Sequence, residues 1–355
     1  LSFIAVSALL QACGELTTPT TPTPSGHGGS DAGWYQLYFT SPVYPDNDPK
    51  KRTPSLDAKL SDFIHTATKS VDIAIYQLDL PNVTQALLDA KKRNATVRVV
   101  TDVNIYADAK ENPSFKELEK ADIKVVAGNQ NAIMHNKFVV VDGARVWTGS
   151  WNFTANDTWR YNNHGLAITA PELARNYTAT FEKMWKDNQF GRQRKAGGTT
   201  AQLIIGGVKV ENYFSPEDKV ASKIITRLRQ AKTKIDFMAY SFTDDALGDA
   251  LLERAKAGVK IRGVFENTGS QTQFSEFGRL QKANLEVRTD GNPYLMHHKV
   301  FIVDGRIVVF GSFNFSKNAD EENDENLLII DDEPLATAFT TEFERVVAQA
   351  QRPPK

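Results

Sequence analysis

Apolar residues recur along the chain in two alternating rhythms. Leu56, Leu60, Phe63, Ile64 and Ala67 fall at helical spacing and predict a helix over 56–68. Residues 71–76 form a short run of strand type, 83–92 an amphipathic helix and 97–101 another strand. A further helix is expected over 115–120, ending before the apolar segment 123–126. Segments 138–141 and 145–148 read as two strands joined at Asp142-Gly143, a dipeptide that favours a tight hairpin. One more strand follows at 166–169, and 171–185 opens with proline, as helices often do. Such alternation, closed by a hairpin, implies a mixed sheet covered by helices on both faces.

The whole pattern then repeats. Segment 33–42 recurs as 207–216, 67–76 as 231–240, and 86–100 as 250–264. The offset is 164 residues between Tyr76 and Tyr240 and 162 between His135 and His297. Gly197-Gly198 and Gly206-Gly207 mark the joint, giving halves of 34–196 and 197–355. The expected α/β architecture is two similar α/β/α sandwich domains with mixed sheets, related by a pseudo-two-fold axis. One chain would then be a monomer with an internal pseudo-dimer.

Within the repeat lies a polar string. His135-Asn136-Lys137 opens an apolar run that ends at Asp142-Gly143, and Gly149-Ser150-Trp151-Asn152 follows. The second copy is His297-His298-Lys299, Asp304-Gly305 and Gly311-Ser312-Phe313-Asn314 at the same spacing. Side chains alternate along a strand, so His135 and Lys137 share a face, as do His297 and Lys299, while His298 points away. A nearby two-fold axis would gather two imidazoles and two ammonium groups around one point. Ser150, Asn152, Ser312 and Asn314 would add neutral donors for phosphate oxygens. Two histidines suit phosphodiester cleavage: one attacks phosphorus while the other, as imidazolium, protonates the departing oxygen. The lysines would stabilise charge on the non-bridging oxygens, so neither metal nor cofactor is required. Tyr76 and Tyr240 end equivalent strands and either line the cleft or pack in the core. His65, among apolar helical positions, reads as a core or flank residue.

These residues make the chain resemble the phospholipase D superfamily over about 34–348. The resemblance implies a phosphohistidine intermediate in a metal-independent, pseudo-dimeric site. It implies that His135, Lys137 and Asp142 pair with His297, Lys299 and Asp304 as catalytic residues. Ser150, Asn152, Ser312 and Asn314 would bind substrate. The family often carries a supporting Glu after the Asn; Glu325 fills that place in the second half, with His164 read as its counterpart in the first. From this mismatch we expect unequal halves in which one histidine alone has a carboxylate partner, with His135 the nucleophile. The substrate is a phosphodiester, either a phospholipid head group or nucleic acid. Basic clusters at 50–52, 91–93 and 192–195 would serve the second reading. A binding protein with a dead site is a third reading.

Composition narrows the picture only modestly. Hydrophobic residues make up 41% and charged residues 24%, enough for a packed core, and the net charge of −1 gives no general pull toward polyanions. The single cysteine excludes an internal disulfide. Its position is more telling. Residues 1–13 (LSFIAVSALLQAC) read as a signal segment ending in a lipobox-like Ala12-Cys13-Gly14, with Gln11 a departure from that pattern. Residues 14–33, rich in Pro, Thr, Gly and Ser, read as a disordered linker. Export to a bacterial cell envelope, with membrane attachment through a lipidated Cys13, is therefore expected.

Overall fold

The computed structural model describes residues 33–45, 52–108 and 110–351; the signal segment, Cys13 and the linker up to residue 32 lie outside them. The first half contains strands β1 (Tyr35–Phe39), β2 (Ser70–Ile75), β3 (Thr96–Asp102), β4 (Val125–Gly128), β5 (Lys137–Val141), β6 (Arg145–Gly149), β7 (Tyr161–Asn162) and β8 (His164–Thr169). The second contains β9 (Gln202–Ile205), β10 (Val208–Ser215), β11 (Lys234–Ala239), β12 (Lys260–Phe265), β13 (Glu286–Thr289), β14 (Leu295–Met296), β15 (Lys299–Val303), β16 (Ile307–Gly311) and β17 (Glu325–Asp331).

The first sheet runs β1-β8-β6-β5-β2-β3-β4, and the second β13-β12-β11-β15-β16-β17-β10-β9. Strand for strand they match, β9 being an added edge. In each, three parallel strands linked through helices give way to antiparallel ones, the first two of which form a hairpin. Asp142 and Gly143 turn the β5–β6 hairpin with φ of 55° and 62°, the left-handed pair that a tight two-residue hairpin requires. Gly206-Gly207 is not a joint between halves. It turns the β9–β10 hairpin inside the second sheet, at φ of 57° and 82°.

Both faces of both sheets are buried, which is why the central strands read as continuous apolar runs. Val139, Val141, Ile73 and Val99 face an outer core with helices Leu56–His65, Pro81–Lys92 and Pro113–Lys120. Phe138, Val140 and Ala74 face the other way, into a core that the two halves share. Val300, Ile302 and Phe310 enter that same core from the second sheet. Helices Pro171–Trp185 and Glu333–Gln351 fill the layer between, contributing Tyr177, Phe181, Phe339 and Phe343. Truncating one such aromatic to alanine would cost roughly 3–5 kcal/mol. Matching ion pairs clamp the layer: Arg98 grips Asp72 at 2.7 Å and Glu182 at 2.7 Å, and Arg262 grips Asp236 at 2.7 Å and Glu344 at 2.8 Å.

Candidate active site

The segments that enter β5 and β15 are stitched to the opposite half. The His135 N–H donates to the Asp324 carbonyl at 2.9 Å, and the His297 N–H to the Asn162 carbonyl at 2.9 Å. Met134 bridges to Asp324, and β14 pairs with β7 in parallel. This reciprocal crossing carries each histidine to the residues that begin the last strand of the other half.

The side chains complete the exchange. His135 Nδ1 lies 2.9 Å from both carboxylate oxygens of Glu325. His297 Nδ1 lies 3.0 Å from Asn163 Oδ1 and 3.2 Å from Asp157 Oδ1. Each Nδ1 is thereby tied to an acceptor, which fixes the proton there and leaves Nε2 for chemistry. Lys137 and Lys299 are fully buried and donate to the carbonyls of His135 and His297 at 2.9 and 2.8 Å. Tyr76 stands edge-on to His135 at 5.2 Å, Tyr240 to His297 at 4.6 Å, and each lysine lies over the tyrosine of its own half. Both tyrosines therefore line the site.

The two halves form one electrostatic unit. Burial depresses the His135 imidazole, Glu325 opposes that, and both Lys137 and Lys299 reinforce it. Burial and then Lys299 push His297 down to about 3, against Asp157, with Lys137 adding to the effect from across the site. Burial brings Lys137 down to about 8, while burial and the facing Lys137 hold Lys299 well below its ordinary range. Burial alone would raise Asp157, but the His297 contact and hydrogen bonds from Asn152 and Thr154 hold it low. Such a pocket is short of negative charge. An anion would favour the protonated form of all four groups at once.

Three expectations need correction. Asp142 and Asp304 are not in this cluster. Asp142 accepts from the N–H groups of Thr68, Lys69 and Ser70 and the Thr68 hydroxyl; Asp304 does the same for 232–234. They pin the starts of β2 and β11. Ser150 and Ser312 are fully buried behind the histidines rather than open to substrate. Ser150 donates to Asn163 at 2.7 Å and Ser312 to Glu325 at 2.6 Å, so each steadies the group that holds a histidine. The preceding glycines are obligatory: a Cβ on Gly149 or Gly311 would sit 2.3 or 2.2 Å from a carbonyl oxygen of β8 or of β17.

The third correction concerns symmetry. The counterpart of Glu325 is Asn163, not His164, because both stand thirteen residues after their serines. His297 nonetheless has a carboxylate, Asp157, so both histidines carry one, from unrelated positions. Carrying the offset of the motif through to Glu325 would have found Asn163; nothing in the sequence marked Asp157, whose counterpart is Ala319. Asn152 and Asn314 each leave a buried side-chain oxygen without a partner among the described residues. His65 is a flank residue near Asp89, and His298 faces away from the site as expected. Among the described residues no group of three or more His, Cys, Asp or Glu could hold a metal ion.

Fold and duplicated motif define the class: a phosphodiesterase of the phospholipase D superfamily. The family model described as "Cardiolipin synthase, PLD-like domain" matches residues 60–185 and again 224–347, once in each half, and the chain belongs to that family. A mitochondrial cardiolipin hydrolase of Chlamydomonas reinhardtii is 29% identical over 187 residues, covering 45% of this chain and 84% of that protein. A phospholipase D of Rickettsia conorii is 34% identical over 131 residues, covering 37% of this chain and 66% of that protein. Both relatives bear the names of phosphodiesterase-type hydrolases. Among solved structures, phosphatidylserine synthase from Haemophilus influenzae Rd KW20 shares the fold with a TM-score of 0.67 at 15% identity, over 83% of this chain and 84% of that chain.

Proposed function

We propose that the protein hydrolyses phospholipid head-group esters through a covalent phosphohistidine. The observation that carries this is the pair of imidazoles, each tied at Nδ1, in one electrostatically coupled cluster with two buried lysines. His135 Nε2 attacks phosphorus in line, and the bond to the departing alcohol oxygen breaks with its electron pair. That oxygen takes the proton from the His297 imidazolium, whose charge Asp157 and the bound phosphate favour. Neutral His297 then removes a proton from water, the hydroxide attacks phosphorus, and the P–N bond returns its electrons to His135. Lys137 and Lys299 balance the charge on the non-bridging oxygens.

Lipid is favoured over nucleic acid by the fate of the basic clusters. Arg194 is wholly buried against Asp324 and Glu217, Arg192 pairs with Glu321 and Glu322, and Lys92 with Asp89. Among the described residues these three cations are thus neutralised, while Lys91 and Arg93 reach only backbone carbonyls and Lys50 and Lys51 lie outside the described residues. We propose that the chain is exported and tethered through a lipidated Cys13, beside a membrane substrate; mass spectrometry of the mature N-terminus tests this.

The decisive assay offers purified protein phosphatidylcholine vesicles, single-stranded DNA and bis(p-nitrophenyl) phosphate in parallel. Release of head group together with turnover of the generic diester is expected. Cleavage of DNA without release of head group would make it a nuclease. Turnover of none would leave a binding protein.

A further inference from the structure

A second pair of imidazoles lies behind the first and takes no part in the steps above. His164 Nδ1 and His298 Nδ1 are 3.0 Å apart, with the rings stacked at an interplanar angle of 11°. His298 Nε2 lies 3.0 Å from Glu342 Oε1, and Glu342 is held in turn by Arg345. On the other side His164 Nδ1 is 3.3 Å from Ser150 Oγ, and Ser150 donates to the Asn163 amide oxygen that faces His297. All members from Ser150 to His298 are buried, and Phe39, Phe310 and Phe339 wall the two rings.

The other half does not have this device. At the equivalent positions, 162 residues away in each case, it carries Asn136 and Asn326, whose side chains bond at 3.2 Å. A neutral amide pair does the packing there. The imidazole pair costs burial of two titratable rings where amides fit, and it leaves His164 Nε2 buried with no partner among the described residues.

Bonding rules fix the direction of the chain. Burial alone would raise Glu342, but Arg345 and His298 keep it low, so it accepts the Nε2 proton of His298. Neutral His298 then offers a lone pair at Nδ1, and His164 Nδ1–H is shared between it and the more distant Ser150 Oγ. A further proton is accommodated on His298, between Glu342 and His164, with the His164 proton moving to Nε2. The groups facing the pair are Glu342, Arg345 and Lys299 around His298, and Lys299, His297 and Ser150 around His164.

We propose that His164, His298 and Glu342 form a buried proton-sharing relay that sets the basicity of His297 through Ser150 and Asn163. These are positioning residues: none touches the reacting phosphate. The inference rests on the role given to His297 above. It accounts for unequal halves better than the carboxylates do, since both catalytic histidines have one.

The test replaces the relay by the other half's own solution, His164→Asn with His298→Asn, in the full chain. Loss of the shared proton, which the neutral pair takes up only as pH falls, should move the acid limb of kcat/KM that reports His297 upward by about half a unit, roughly threefold in proton affinity. kcat on bis(p-nitrophenyl) phosphate should follow that shifted limb, with KM within about twofold. An unchanged limb in an active, folded variant overturns the relay. Ring-nitrogen NMR of the unmodified protein with labelled histidines gives a second readout that needs neither the variant nor turnover. A His297 resonance that inflects where His164 and His298 titrate supports the relay; independent single-site curves overturn it. An unmodified protein inactive on every diester would sink the catalytic reading, and the NMR arm would still decide this one.

Discussion

Glu325 places both carboxylate oxygens 2.9 Å from Nδ1 of His135, although 190 residues separate the two in the chain. A carboxylate at this distance keeps the Nδ1 proton in place and stabilises the positive charge that a phosphorylated imidazole carries. The contact exists only when the halves are packed together. His297 depends in the same way on Asn163 and Asp157 of the first half. Neither half alone holds a complete site.

His135→Ala and His297→Ala should therefore each abolish turnover, by roughly 10⁴-fold or more, since the two act as one unit. Steady-state rates on bis(p-nitrophenyl) phosphate measure this. Either variant keeping a tenth of the rate would rule out the two-histidine route.

Replacing the orienting carboxylates should separate the halves. Glu325→Gln is expected to slow kcat by about 10²-fold or more, because among the described residues it is the only side chain bonded to His135 Nδ1. Asp157→Asn should cost less, because Asn163 still accepts from His297. Acid quench and peptide mapping by mass spectrometry should find phosphate on His135. Equal labelling of His297 would refute that assignment.

Asp142→Ala should weaken the fold and spare the chemistry. Burial alone would raise this carboxyl, but the N–H groups of Thr68, Lys69 and Ser70 hold it below its usual range. Losing the carboxylate leaves those donors unsatisfied, at about 1–3 kcal/mol in urea unfolding. A large fall in kcat at unchanged stability would contradict the separation of Asp142 from the site.

Acid should destabilise the protein from just below neutrality. His135, His164, His297 and His298 all have folded values depressed by burial. Unfolded histidine takes a proton near pH 6.5 while these do not, so the unfolded state binds more protons and stability falls as pH drops. Each contributes up to about 1.4 kcal/mol per pH unit. Glu276, raised to about 7 by burial, and Asp79, Asp290 and Asp324, raised to about 6, act in the opposite sense and offset part of this fall from neutrality downward. Urea midpoints between about pH 7 and pH 6 measure the balance, and a midpoint that rises as pH falls there would exclude four buried neutral rings.

An oxyanion such as tungstate should bind more tightly as pH falls toward 6, with proton uptake seen by calorimetry. The bound charge offsets what burial and Lys137 do to His297 and restores its imidazolium. Chelator should leave turnover intact, since the lysines supply the charge. Loss of activity in EDTA would require a different mechanism.

Much of this protein is legible along the chain. Helical spacing and apolar runs mark nearly every element, because strands buried on both faces must be continuously apolar. Duplication gives the two-fold relation, and the repeated His, Lys and Asn give the chemistry. Glu325 could be named from its place after the motif. The partners of His297, the bracing role of Ser150 and Ser312, and the removal of Asp142 and Asp304 from the site came only with the packed structure. The relay of His164 and His298 also belongs there, since it joins residues 134 apart through side chains that each look ordinary alone. The reason is physical. Periodicity is a local property that each segment carries by itself, whereas a proton's place on an imidazole is set by whichever acceptor the opposite half presses against it.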